Sequence, residues 1–396
     1  MIFIILMSQK LNENIFYSKG YNEMSDEKFN SNKKVKVLAY FLPQFHTIPE
    51  NDEWWGKGFT EWTTIKKENK VSKNLQPLND NYYNLLDEKT VLWQTELAKA
   101  YGVYGFVYYH YYFCGKKLLE KPAENLLNNK NINQKFCFCW ANHDWIRSWD
   151  GVKTILVKQE YGKEEDWRGH FDYLLPFFKD DRYIKVDGKP LFVIFRDFKE
   201  RRAVYEYFNT SARENGLEGI FFAQSIQTIK PLILDELLYA TDAVVLREPS
   251  VSLNRLTIWE KSKRETRRIL RQLFNRPVVL EKYNGVSHAK RIVGSAGIFC
   301  EKMRETGIKY WLGMYSGWDN TSRHGIRGYK ITAISDKRYI WYLTELKKIA
   351  ERENIEFIFC NAWNEWAESM ILEPDTRNKY RFLEGIKRVF AGEITE

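Results

Sequence analysis

The stretch Phe357–Glu373, FIFCNAWNEWAESMILE, decides how the rest of the chain is read. It opens on an apolar, β-favouring run, Phe357-Ile358-Phe359-Cys360, and then turns polar and aromatic at once. An apolar run that ends in carboxylates and indoles is the pattern of a buried strand whose C-terminal tip opens into a site. Glu365 and Glu368 are three residues apart, so they share a face if the segment coils. Two carboxylates among tryptophans suit the chemistry of the glycosidic bond, where one group donates a proton and the other stays ionised. Tryptophan faces pack on sugar rings and asparagine amides bond hydroxyls. A lone glutamate here would read as a solvated helix start; the cluster as a whole reads as functional.

Seven similar runs precede it. Lys36–Phe41, Gly105–Tyr112, Lys135–Ala141, Pro190–Phe195, Gly219–Gln224, Asp242–Arg247 and Tyr310–Met314 each read as a short strand. Helical periodicity separates several of them: Thr90–Tyr101 closed by Gly102, Lys163–Phe178, and Glu200–Asn215 stopped by Gly216. Strand–helix alternation predicts an α/β fold, a (β/α)8 TIM barrel with its active site on the C-terminal face. Every polar–aromatic cluster follows a strand and none precedes one, which supports the barrel over its rival, a doubly wound open sheet. Neither GxGxxG after an early strand nor GxxxxGK[ST] occurs.

These strand tips supply the candidate substrate-binding residues. Tyr40 and His46 end the first strand, and a loop with Trp54, Trp55, Glu61 and Trp62 follows. That loop reads equally as one packed by its own aromatics. Tyr109 and His110 end the second strand, where a lone histidine is as readily a satisfied core group. Trp140, Asn142 and Trp145 follow the third, with Arg147 and Asp150 as a surface pair. Gln224 ends the fifth, Trp318 follows the seventh, and Trp363 and Asn364 follow the eighth.

The chain has 396 residues, is 16% aromatic and carries a formal charge of +9. Basic excess attracts anions, but no zinc-finger spacing or RNA-binding signature is present, so nucleic acid is not an expected partner. The five cysteines, Cys114, Cys137, Cys139, Cys300 and Cys360, are odd in number and lie mostly in apolar runs. They read as reduced core residues, and no second pair gives zinc spacing; neither metal nor cofactor is expected. The apolar start, MIFIILM, is too short to span a bilayer, and Met7 and Met24 are alternative start positions. Residues 1–33 are expected to be disordered and residues 34–392 to form one glycan-processing domain. The expected location is cytoplasmic, peripheral to the inner membrane. The case for the membrane is the segment Arg255–Tyr283, read as a basic amphipathic helix inserted in the sixth βα unit; it fits a solvated face, an anionic membrane surface or a pyrophosphate-bearing carrier.

Several long motifs carry a family resemblance. AYFLPQFH, GFTEWTTIKK, QPLNDNYY, LLEKPAENLL, FCFCWANHDWIRSWDG and NAWNEWAESMILEPD resemble the WbsX-type proteins of bacterial surface-polysaccharide clusters. These are similar in turn to glycoside hydrolase family 99, the endo-α-mannosidases and mannanases. The resemblance spans Val35 to Lys387. It implies the same barrel, a glycan or lipid-linked oligosaccharide substrate, and no metal or nucleotide. It also implies that Glu365 is the base drawing on the sugar 2-hydroxyl and Glu368 the acid protonating the leaving oxygen, through a 1,2-anhydro sugar with retention. His143 and Asp144 stand where the family pattern has Glu-Asn, a departure that bears on sugar preference. Because WbsX-type proteins are often labelled glycosyltransferases of O-antigen biosynthesis, transfer to an acceptor is the alternative reading, and a non-catalytic glycan-binding scaffold is a third.

Overall fold

The computed structural model describes residues 34–66, 75–147, 154–230, 240–274, 281–324 and 328–391. The expected disordered segment 1–33, together with Trp149, Asp150 and Arg276, lies outside the described residues.

Eight parallel strands close on themselves: β1 (Lys36–Phe41), β2 (Val103–Phe113), β3 (Phe136–Trp140), β4 (Lys189–Ile194), β5 (Phe221–Ile226), β6 (Ala243–Leu246), β7 (Lys309–Tyr315) and β8 (Phe357–Asn361). Strand β1 pairs with β8 (Ala39 opposite Cys360) on one side and with β2 (Tyr40 opposite Val107) on the other, so the sheet has no open edge. The doubly wound alternative is thereby excluded. All eight expected strands are present, with no end moved by more than two residues.

Strand parity sorts the side chains. On one parity, Phe136, Phe138, Phe192 and Phe222 face outward and meet the aromatic face of α2 (Glu164–Phe178) and α3 (Arg201–Glu214). Phe138 lies 5.0 Å from Phe177, and Tyr205 stacks on Phe222 at 3.9 Å. Each such ring contributes about 1.5–3 kcal/mol by leaving water. On the other parity, Tyr40, Tyr109 and Phe359 turn inward, with Tyr40 stacked 5.5 Å from Tyr109. The high aromatic content therefore serves mainly as mortar between strands and helices.

The helix Glu88–Ala100 (α1) is capped by Asp87, whose carboxylate accepts from the Lys89 amide. Gly102 follows it at φ 78°, in the left-handed region that glycine tolerates. Two further helices sit before β7 and β8, at Gly285–Met303 and Asp336–Arg352, each with an asparagine or serine N-cap. The basic segment after β6 differs from expectation. Its helix, α4, spans Ile258–Phe274, whereas Glu281–Tyr283 is a strand paired with Tyr329–Ile331. Alternating Glu-Lys-Tyr cannot continue the helical stripe once the pairing strand is available.

Candidate active site

The loop after β8 carries two carboxylate clusters. In the first, one guanidinium gathers three glutamates. Arg323 Nη2 donates to Glu61 Oε1 at 2.7 Å and to Glu365 Oε2 at 3.3 Å, and Nη1 donates to Glu368 Oε1 at 3.0 Å. Glu61 also accepts from the Ala367 amide at 3.3 Å. Glu365 and Glu368 thus share one space, as the helical spacing predicted: Trp366–Glu368 forms a single 3-10 turn. Arg323 is positioned by the short helix Thr321–His324, whose first amide bonds Asp319. The Asp319 amide in turn donates to the Glu368 carbonyl at 2.8 Å, tying the β7 loop to the β8 loop.

Electrostatics set the protonation of this cluster. Burial raises the Glu365 carboxyl well above the usual carboxylate range; Arg323 opposes, while Glu368 and Glu61 push it further up. Burial also raises Glu368, against Arg323. Burial works against the Arg323 charge, but the three carboxylates hold it firmly protonated. Three carboxylates facing one cation would carry excess negative charge in a dry site, so the pair is poised to hold a proton. Glu365 is the more enclosed, with a side chain 10% exposed against 19% for Glu368.

The second cluster is centred on Glu373, which is buried and accepts four neutral donors: Gln94 Nε2 at 2.7 Å, Tyr83 Oη at 2.9 Å, Trp363 Nε1 at 2.9 Å and Trp366 Nε1 at 2.7 Å. Burial pushes its carboxyl up to about 7 against the pull of these four donors. This group holds the loop and faces no opening.

The other candidates divide by parity and by satisfied hydrogen bonds. Tyr109 is half-buried at the mouth of the barrel, and the Glu365 charge helps to raise its phenol. Trp145 is half-buried against Tyr111, with centroids 4.8 Å apart, and Trp54 extends this aromatic wall. Trp318 stacks on Tyr329 at 5.4 Å, and its indole N–H lacks a partner. Tyr40 and His46 are buried, with the Tyr40 hydroxyl beside Ser225 and the His46 ring beside the Pro43 backbone. Burial lowers His46 to about 4, so it is neutral.

Several expectations are corrected. His110 and Trp140 have the outward parity. His110 Nε2 lies 2.9 Å from His170 Nε2 on α2, and the Trp140 ring packs edge-on against the same imidazole. Gln224 shares the parity of Phe222 and donates to the Ile194 and Ser225 carbonyls. Trp62 donates to the Tyr83 carbonyl and packs on Trp366 inside the loop. Trp363 is committed to Glu373. Glu61 is fully buried and spent on Arg323, so it positions the site instead of lining it.

Asn142 and Asn364 each use the whole amide on a neighbouring strand end. Asn142 Nδ2 donates to the Arg196 carbonyl at 2.7 Å while its Oδ1 accepts from the Arg196 amide at 2.8 Å. Asn364 does the same to Leu42, at 3.0 and 2.7 Å. Neither amide is left for a sugar.

Arg323, Tyr111 and Glu373 were missed as functional or organising residues. Arg323 carried one usable signal: it follows the Trp-Asp-Asn-Thr capping pattern at the tip of β7. All five cysteines are free. Among the described residues no group of three or more His, Cys, Asp and Glu is placed to hold a metal ion, and no helix is long and apolar enough to cross a membrane.

Known proteins resemble this chain in family and in fold. The family described as Glycosyltransferase WbsX matches residues 37–386. WxcX of Xanthomonas campestris pv. campestris is 30% identical over 362 residues, which is 89% of this chain and 49% of that protein. The chain therefore spans about half the length of the curated relatives it matches. A solved structure described as a glycoside hydrolase-like protein superposes with TM-score 0.62 at 12% identity, over 93% of this chain and 97% of its own. The GH99 endo-alpha-mannosidase from Bacteroides thetaiotaomicron superposes with TM-score 0.54 at 12% identity, over 89% and 95%. At that identity these structures speak to the barrel fold alone.

Proposed function

The chain belongs to the WbsX glycosyltransferase family, and from that premise we propose that it is an enzyme acting on glycosidic bonds of bacterial cell-surface polysaccharide through Glu365 and Glu368. The observation that carries this reading is the Arg323 clamp, which holds both carboxylates within 3.3 Å of one guanidinium at the mouth of a closed barrel. In the reaction, one carboxylate takes the proton of the sugar 2-hydroxyl as that oxygen closes on C1. The other gives its proton to the departing glycosidic oxygen. Water or an acceptor hydroxyl then attacks C1 and opens the 1,2-anhydro ring, giving its proton to the carboxylate that acted as acid while the other carboxyl returns its proton to O2. Each proton transfer by a placed carboxyl is worth about 10²–10⁴ in rate.

The family resemblance makes Glu365 the base and Glu368 the acid. Burial raises both carboxyls, so the resting pair holds a proton in common and bound substrate settles which of the two carries it. Leaving-group dependence identifies the acid: its Gln variant keeps most of its rate on an activated aryl glycoside, whereas the base variant does not.

The direct test is turnover of the organism's own surface polysaccharide and its lipid-linked precursors without added nucleotide sugar. Glu365→Gln and Glu368→Gln are each expected to abolish it while leaving the fold intact. Transfer that requires a nucleotide sugar would favour the glycosyltransferase reading. Glycan binding without turnover, indifferent to both substitutions, would leave a scaffold.

A membrane-facing surface is part of this proposal. On α4, Trp259 is 79% exposed and Ile258 62% exposed, beside exposed Lys261 and Lys263. Apolar residues adjoining lysines suit an anionic bilayer, where lipid-linked precursors reside. Binding to phosphatidylglycerol vesicles is expected at low salt and should weaken both with added salt and in Trp259→Ala.

A further inference from the structure

The mouth of the barrel has a second electrostatic side. Arg247 follows β6 on the inward parity and is 6% exposed. Its guanidinium lies 3.7 Å from the centroid of Phe195. The Gln227 amide, turned so that its oxygen faces Arg247, accepts from Nε and Nη2. Nη1 has no partner. Among the described residues Arg247 forms no ion pair; burial and the second cation, Arg196, work against its charge. Arg196, two residues past β4, is exposed, and its backbone is clamped by Asn142. The His143 ring lies 5.2 Å from Phe195.

A buried guanidinium without an ion-pair partner is costly. Arg247 and the acid cluster both follow the C-terminal ends of barrel strands, and the Arg247 charge acts on Glu368. The mouth therefore presents three carboxylates on one side and a buried guanidinium with an unpartnered Nη1 on the other. We propose that Arg247 forms a subsite for an anionic substituent, a carboxylate or phosphate, on the glycan or its carrier. This inference rests on the reading of the mouth as a glycan site and names its ligand chemistry. The Arg247 fork matches the planar, two-oxygen edge of a carboxylate or phosphate. Tyr109, half-buried and 5.9 Å edge-on from Phe195, lies beside it on the path of the sugar that bears the group.

The experiment is a ligand-observed NMR titration of the full chain with glucose, glucuronate and glucose 1-phosphate at one ionic strength. At least one anionic sugar is expected to bind about tenfold more tightly than glucose. The carboxylate and phosphate arms separate a uronic acid in the glycan from a phosphate of its carrier. Arg247→Gln should remove the advantage while leaving the affinity for glucose unchanged. If that variant fails to fold, Arg247→Lys, which keeps the charge and loses the fork, takes its place, and undiminished preference there overturns the proposal. Equal affinity for all three sugars, or no binding of either anionic one, also overturns it. Equal affinity leaves the glycan reading standing, since that reading is tested by turnover.

Discussion

Glu373 and the Glu365–Glu368 pair sit on the same loop, are all largely withdrawn from water, and are treated in opposite ways. Glu373 is met by four neutral donors and nothing acidic. The pair is met by a single guanidinium that a third carboxylate, Glu61, already occupies. The first arrangement distributes a charge over fixed dipoles and holds a loop in place. The second leaves acceptors to spare and crowds like charges. Such under-satisfaction destabilises a fold and is tolerated where a reaction needs a mobile proton. The contrast teaches that burial alone does not mark a catalytic carboxylate; the character of its partners does.

The largest effect that would break this comparison is on stability. Glu373→Ala strands four buried donors and should cost about 3 kcal/mol or more, read as a fall in Tm. The double change Glu365→Gln with Glu368→Gln removes crowded charge and should leave Tm unchanged or raised. If Glu373→Ala melts like the parent, the structural role assigned to it is wrong. A smaller effect concerns Arg323. Replacing it with Gln removes the one cation the three carboxylates share, so their protons are held to higher pH. The acid limb of the pH–activity profile should move upward by about one unit, with activity at neutral pH reduced. An unmoved limb would detach Arg323 from the titrating pair.

The smallest effect is a slope. Burial raises the Glu373 carboxyl to about 7, so between the ordinary carboxylate range and about 7 the folded state binds a proton that the unfolded state has lost. Its contribution must therefore weaken as pH rises through that window. Four buried histidines run the other way: burial depresses His46, His110, His170 and His288, so each favours the folded state as pH rises. The measurement is thus a difference. Relative to Glu373→Gln, the parent should lose stability from about pH 4.5 to 7 at up to about 1.4 kcal/mol per unit. A flat difference would mean that Glu373 is ionised throughout.

The barrel was legible because each strand is a short apolar run bounded by breakers, and because the chemistry follows strands only. The catalytic candidates were legible because their spacing survives a one-residue error in the strand end. Parity was not legible. In Tyr108-Tyr109-His110-Tyr111-Tyr112 every residue suits either face, so nothing marks Tyr109 and Tyr111 as inward and His110 as outward. Nor does a sequence say where an amide spends its bonds, which is why Asn142, Asn364 and Trp363 read as sugar ligands. Arg323 escaped for a different reason: its partners lie 42 to 262 residues away along the chain, and no local pattern reports such a meeting.

The asparagine clamps carry a consequence of their own. By mimicking the backbone of an absent neighbour, Asn142 and Asn364 finish the rim of the barrel before the loops begin. What lies beyond those two residues can be lengthened, exchanged or rewritten without disturbing the staves beneath. A scaffold edged in this way separates what closes the barrel from what can vary above it.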